Sequence, residues 1–335
     1  MSAMSKTTRL SVLTTLQKKY TRVEISVVDT LQDLEALVAK KPDLVILGRR
    51  SIRLEPEEGD TGGSKLWLSD YLTENDIDFI GSGTSSLQLQ LDKSAAKQHV
   101  LDAGLQSSAY FISTMKEPSF KHKLTFPLFV KPTDRGHSKG IDEQSVVHTH
   151  AELQAKIISI HDGIKSDALV EEYLPGREFS VAVIEDADGG HMAMPIEILS
   201  PTDENGYNFL SSAVKRADSE EVVYVADGTL KMTVNDLAID VFKSLGARDY
   251  GRIDIRLDGH GAPCFIEANL TPGLSNHGYL ARCFFINEQI DYDDMIFAIV
   301  GLGFKRTTYF NLPRLLDTPV ILLDAIVPEF ANAPI

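Results

Sequence analysis

Apolar residues near the start of the chain, Leu10, Leu13 and Leu16 with Val12 beside them, recur at the spacing of one helix face, so Thr7 to Tyr20 is expected to be helical. The pattern then changes. Val23 to Val28 reads as a strand, Leu31 to Ala39 as a second amphipathic helix, and Leu44 to Leu47, behind Pro42, as a short buried strand ending at Gly48. Alternation of this kind begins an open parallel α/β sheet. Ser51 to Ser64 turns to Glu, Pro, Asp and Gly and is expected to be an exposed loop, with a helix at Leu66 to Leu72 and a strand at Ile77 to Ile80 after it. A further helix starts at Lys93 with Asp92 as its N-cap, and Thr149 to Glu152 forms a capping box that opens a helix to about Ile160. Strands are expected at Leu128 to Pro132, Ala168 to Tyr173, Glu178 to Val183 and Met194 to Leu199, and Pro201 to Ala226 is expected to be irregular. Leu237, Ala238, Val241, Phe242 and Leu245 repeat at helical spacing before Gly246, a C-cap. Tyr292 to Leu302 reads as a closing helix, and Pro313 to Ile335 as an apolar, proline-punctuated tail with no assigned role.

The most informative stretch is Gly251 to Gly273. Two short alternating runs flank Asp258-Gly259-His260-Gly261, a hairpin signal. Period two places Arg252 and Asp254 on one face and Ile253, Ile255 and Leu257 on the other, and Glu267 and Asn269 also share a face. If the polar faces coincide, Asp, Glu and Asn oxygens lie beside one guanidinium. These are hard ligands of the kind magnesium accepts, with phosphates and water completing its shell. The plainer alternative is an amphipathic hairpin with a solvated acidic face. A well-specified apolar face, and a polar face mixing Arg with oxygen ligands, weigh against it.

Composition narrows the function classes. The 335 residues exceed one ordinary domain, and 43% hydrophobic with 24% charged residues is a globular balance. A net charge of −15 without a Lys/Arg run argues against a nucleic-acid partner. No apolar run is long enough for a membrane span, and no signal core follows the basic residues near the N-terminus, so no membrane partner and a cytoplasmic location are expected. Cys264 and Cys283 lack Cys-x-x-Cys spacing and suit a reducing compartment. His148, His150 and His161 flank a helix and are assigned no metal.

The hairpin, Gly-Arg-x-Asp followed by Glu-x-Asn-x-x-Pro-Gly, resembles the metal hairpin of ATP-grasp enzymes, specifically of the D-alanine:D-alanine ligase family. The resemblance covers roughly Ile77 to Gly303. It implies an N-terminal open parallel α/β domain (1–90), a small ATP-grasp lobe (91–175) and a large lobe with the metal hairpin (176–310), both lobes with mostly antiparallel sheets, then a tail (311–335). Asp254, Glu267 and Asn269 would hold two magnesium ions, with manganese as a substitute. Arg252 and the Gly273 N–H would steady charge at the reacting carboxylate. Lys93 and Lys131 would bind ATP phosphates, and the Gly136 to Gly140 loop, with His137 and Ser138, would close over them. Around the base and sugar, Glu171, Glu172, Tyr173 and Leu174 would meet adenine while Glu178 accepts from the ribose hydroxyls.

The sequence also departs from the family pattern. Where the family shows Tyr-x-Tyr-x-x-Lys-Tyr, Ser212 replaces the lysine and Lys215 comes three places later. The terminal-phosphate charge is assigned to Lys215, with Lys139 or Arg216 as alternatives. Gly278, beside Tyr279 in the stretch that holds the second substrate, replaces a usual Ser, and Glu172 stands where Lys is common. The family's first strand, with its substrate-positioning Glu, has no counterpart ahead of the first helix. The activity implied is an ATP-dependent, ADP-forming carboxylate-amine ligase working through an acyl phosphate on an amino acid or similar acid, as a homodimer. An ATP-binding protein without turnover and a small-molecule kinase are the competing classes.

Overall fold

The computed structural model describes residues 4–54, 65–136, 138–186, 189–203, 206–217, 219–308 and 319–324. The N-terminal unit comprises α1 (Lys6–Gln17), β1 (Arg22–Val27), α2 (Leu31–Ala39), β2 (Leu44–Leu47), β3 (Ser51–Arg53), β4 (Lys65–Trp67), α3 (Leu68–Glu74) and β5 (Phe79–Ile80). Ser5 caps α1 by accepting from the Thr8 N–H, and Thr30 with Asp33 forms a complete capping box on α2. All four side chains of β2 are buried. Leu44 and Ile46 join one core with Val12 and Leu16 of α1, and Val45 and Leu47 join another with Leu34 and Leu37 of α2. A strand covered on both faces reads as a continuous apolar run, which is why this one was visible in the sequence.

Two expectations fail in this unit. Ser51 to Arg53 is not loop but a strand antiparallel to β4, with Ser51 and Ile52 buried, and the helix after it starts at Leu68 because Leu66 and Trp67 belong to β4. Residues 55–64 of that expected loop lie outside the described residues.

Two helices, α4 (Thr84–Leu91) and α5 (Lys93–Asp102), lead into the small lobe, and Asp92 caps α5 by accepting from the N–H groups of Ser94 and Ala95. The lobe holds β6 (Tyr110–Ser113), β7 (Leu128–Pro132), β8 (Val146–Val147), α6 (His150–Ser159) and β9 (Ala168–Glu172). Its sheet is antiparallel in the order β6-β9-β7-β8, and α6 covers one face with Leu153 and Ile157 against Leu128, Val130 and Val170. Thr149 caps α6, whereas Glu152 reaches back to the His148 N–H, one residue before the cap.

The large lobe contains β10 (Glu178–Glu185), β11 (His191–Leu199), α7 (Ser212–Ala217), β12 (Glu221–Tyr224), α8 (Gly228–Ser244), β13 (Tyr250–Leu257), β14 (Pro263–Asn269), α9 (Tyr279–Glu288) and α10 (Tyr292–Thr308). The antiparallel order is β12-β11-β10-β13-β14. Val234, Val241 and Phe242 of α8 pack on one face, and Leu280 and Phe284 of α9 belong to the core on the other. Pro201 to Ala226 is more ordered than its polar composition suggested, since it contains α7 and β12.

The last described element, β15 (Pro319–Asp324), corrects the reading of the C-terminal stretch as a separate tail. It runs parallel between β1 and β2, giving the N-terminal sheet the order β1-β15-β2-β5. Residues far apart in sequence thus supply one central strand, which local periodicity could not reveal.

Candidate active site

The polar faces of the hairpin do coincide. Arg252 lies directly opposite Asn269 and Asp254 opposite Glu267, and the register shifts only after Asp254. Arg252 grips both Asp254 oxygens through Nε and a terminal nitrogen at 2.9 Å each, and the Ser180 hydroxyl donates to the same carboxylate at 2.7 Å. Burial disfavours the Arg252 cation, but Asp254 outweighs it and keeps the guanidinium firmly protonated. Asn269 is held from outside the hairpin. The Gln90 side chain donates to its Oδ1 at 3.2 Å and accepts from the Leu270 N–H at 3.1 Å, a positioning role the sequence did not reveal.

Glu267 has lysine for company. Lys93 Nζ lies 3.6 Å from it and donates to the Arg135 carbonyl at 2.5 Å, while the Lys93 N–H donates to Thr133 O, so this lysine joins the start of α5 to the small lobe's loop. Burial alone would raise the Glu267 pKa. Lys93, Lys131, Lys215 and Arg252 together hold it well below the usual carboxylate range.

Between the two lobes lies a cleft. Lys131, Ser138, Glu171, Glu172, Tyr173, Leu174, Glu178, Lys215, Asp254 and Glu267, each singled out from sequence, all line it. Phe129, Ile141, Phe209, Leu210, Arg256 and Ile266 complete its wall, and none of these was foreseen. The aromatic pair Phe129 and Phe209 meets edge-on, with centroids 5.5 Å apart, and with Leu174 gives the cleft an apolar part of its wall.

Glu171 is buried between two ammonium groups, Lys131 at 2.8 Å and Lys97 at 3.2 Å. Burial works to raise its pKa, and the two lysines more than reverse that. Lys97, fully buried, also donates to the Ser107 and Ser108 hydroxyls at 2.7 and 2.8 Å. It lies one helical turn beyond Lys93, a spacing that could have marked it. Glu171 was expected to meet adenine and Lys131 phosphate, yet here they meet each other. Glu178 is shifted upward, first by burial and then by Asp254 and Glu267, against Arg256 and Lys215.

The loop after β7 is held across the cleft. Ser138 Oγ donates to Leu210 O at 2.8 Å, the Ser212 N–H donates to Ile141 O at 3.2 Å, and the Ser212 hydroxyl donates to Ser138 O. Ser212, which stands where the family pattern has a lysine, therefore closes the loop. Gly136 accepts from the Lys139 N–H, and His137 lies outside the described residues. Gly140 has φ +83° and packs so closely that a Cβ would lie 2.7 Å from Pro132 Cγ.

Gly273, Gly278 and Tyr279 lie beyond the hairpin and do not line the cleft. Gly278 caps α9, and a Cβ on it would meet Ser275 Oγ at 2.7 Å. The Arg252 guanidinium lies over the Tyr279 ring at 5.4 Å, and the Tyr279 hydroxyl donates to Glu220 at 2.5 Å.

Two carboxylates and one amide oxygen suit a magnesium ion that takes its remaining ligands from phosphates and water. Asp254 and Glu267 are neutralised here by Arg252 and Lys93. Among the described residues no group of three or more His, Cys, Asp and Glu side chains is arranged to hold a metal by itself. The histidines near α6 have other partners: His161 bonds Ser113 O, His148 bonds Glu152 and Tyr207, and His150 packs on His122.

An α/β domain followed by two antiparallel lobes, with a cleft lined by lysines, carboxylates and aromatic side chains, defines the ATP-grasp class of protein. A family model described as D-ala D-ala ligase C-terminus matches residues 104–301, and the chain belongs to that family. It is 29% identical over 235 residues to a D-alanine–D-alanine ligase of Hydrogenovibrio crunogenus, covering 68% of this chain and 69% of that protein. It is 28% identical over 207 residues to one of Bordetella petrii, covering 60% of each. In fold it is similar to the D-alanine–D-alanine ligase of Bacillus anthracis complexed with ATP, with a TM-score of 0.61 and 22% identity, covering 84% of this chain and 86% of that one.

Proposed function

We infer that the chain is an ATP-dependent, ADP-forming carboxylate-amine ligase acting on an amino acid or similar small acid. The observation that carries this reading is the convergence of Asp254, Glu267, Lys131 and Lys215 on one cleft that Phe129, Phe209 and Leu174 also line. Leu174, Phe129 and Phe209 would enclose the base, the Glu171–Tyr173 strand end would meet its polar edge, and Glu178 would accept from the ribose. Lys93, Lys131 and Lys215, with the Gly136–Gly140 loop, would surround the phosphates.

Asp254, Glu267 and Asn269 would hold magnesium, which supplies charge neutralisation for phosphoryl transfer when bound. A substrate carboxylate oxygen attacks the γ-phosphorus as the bond to the bridging oxygen breaks, giving an acyl phosphate and ADP. An amine nitrogen then attacks the acyl carbon. Phosphate leaves, and the nitrogen loses its surplus proton to give the amide. Arg252 and the Gly273 N–H would stabilise the oxyanion that develops on the acyl carbon's oxygen. Loss of the Gly278 hydroxyl position favours an acceptor held differently from that of a ligase with Ser there. ATP chemistry and two buried free cysteines suit the cytoplasm.

Hydroxylamine separates this reading from its competitors. With ATP, magnesium and an accepted acid, the ligase forms a hydroxamate together with ADP and phosphate. A kinase would yield a stable phosphorylated product, and a binding-only protein would bind ATP without releasing ADP under any acid.

A further inference from the structure

Period two brings a third charged side chain, Arg256, to the polar face of β13 beside Arg252 and Asp254. It is only 6% exposed, and its donors are divided between separate elements. One terminal nitrogen donates to Glu178 Oε2 at 3.0 Å. The other donates to the Asn208 carbonyl at 2.7 Å, to Asn208 Oδ1 at 2.5 Å and to the Tyr173 hydroxyl at 3.2 Å. Its buried Nε has no hydrogen-bond partner among the described residues. Arg256 also lines the cleft, next to Glu178 and to the Phe209 and Leu210 that follow Asn208 in the chain. Leu210 O in turn accepts from Ser138 of the glycine loop. A single guanidinium therefore ties a cleft carboxylate to the segment that walls the cleft and, through that segment, to the loop expected over the phosphates.

We propose that Arg256 is a positioning residue for the sugar end of the nucleotide. It fixes Glu178 where the carboxylate can accept from the ribose hydroxyls, and it pins the Asn208–Leu210 segment over the cleft. Glu178 Oε1 accepts no hydrogen bond among the described residues, which leaves it for a ribose hydroxyl while Oε2 stays on Arg256. The inference rests on the nucleotide reading given above. Its consequence is that preference for a ribonucleotide over a deoxynucleotide depends on a side chain that never touches the sugar.

The test is equilibrium binding of ATP, 2′-deoxy-ATP and 3′-deoxy-ATP to the full chain by calorimetry with magnesium and no acid substrate. A hydrogen bond to a charged group is worth enough that the wild type is expected to prefer ATP over at least one deoxy analogue by about tenfold. Arg256→Met is expected to bring that preference within about threefold, and Glu178→Ala to do the same. The double variant is expected to lose no more than either single one, because both changes break the same contact. Asn208→Ala, which frees only the segment's side-chain tie, is expected to keep the preference while weakening all three nucleotides alike. Arg256→Lys keeps the charge without the fork and is expected to lose preference as the Met variant does, which keeps the comparison open if the Met variant fails to fold.

Undiminished preference in the folded Met or Lys variant overturns the proposal, as does full additivity with Glu178→Ala. A wild type that binds ATP without any ribose preference overturns the inference and leaves the nucleotide reading standing. A wild type that binds no nucleotide overturns the functional reading itself.

Discussion

Glu171 carries stability at a residue also proposed to meet the nucleotide. It is the shared partner of Lys97 and Lys131, all three buried, so Glu171→Gln leaves two cations facing a neutral amide. Breaking a buried pair by removing one member costs about 3–5 kcal/mol, and a loss of that size is expected in urea titration. The pH dependence follows from the direction of the shift. The Glu171 carboxyl titrates below its ordinary value, so its contribution is complete above the pKa of an unfolded glutamate and drains away as pH falls through the lowered folded value. Glu267 acts in the same direction and Glu178, shifted upward, in the opposite one. Melting temperatures measured from neutral pH into the acid range are expected to fall less steeply for Glu171→Gln than for the wild type. At the reacting end, Glu267→Ala removes a proposed metal ligand. Turnover is expected to fall by more than the roughly 100-fold that loss of an outer-shell partner causes, with the fold retained by circular dichroism.

At the level of elements, the hairpin was legible and the C-terminal strand was not. Gly251 to Gly273 announces itself because strand period, turn residues and ligand spacing coincide within a short stretch, and the register then places Asp254 opposite Glu267. Arg256 obeyed the same period and could have been read with Arg252, but its partners Glu178 and Asn208 come from distant parts of the chain. Lys97 and Gln90 were missed for the same reason, since their roles exist only once α4 and α5 lie against β14. β15 is an extreme case: a central strand whose neighbours β1 and β2 are some three hundred positions earlier.

Two element-scale outcomes follow. Leu322→Pro removes a backbone donor from a strand paired on both sides and is expected to destabilise the N-terminal unit by about 3 kcal/mol or more, read as an earlier transition in urea. Gly140→Ala meets both an unfavourable φ and Pro132, so the loop after β7 must shift. ATP affinity is expected to weaken by calorimetry while the melting temperature of the nucleotide-free protein changes less than with Leu322→Pro.

The whole molecule is a device for bringing distant charges to one cleft. In a chain with a net charge of −15, Lys93 from α5, Lys131 from the small lobe and Lys215 from α7 gather around the acidic hairpin, which is the positive charge the proposed nucleotide would meet. Binding that joins these parts stabilises the folded state, and ATP with magnesium at 100 times its dissociation constant is expected to add about 2.7 kcal/mol, seen as a rise in melting temperature. Ligase activity is tested most directly by ADP release with magnesium and a panel of D- and L-amino acids, singly and in pairs, with products read by mass for the wild type and Glu267→Ala. ADP, phosphate and an amide are expected in equal amounts from at least one pair, all lost in the variant. ADP release equal in the two proteins, or a phosphorylated acid that persists when amines are supplied, rules out the ligase.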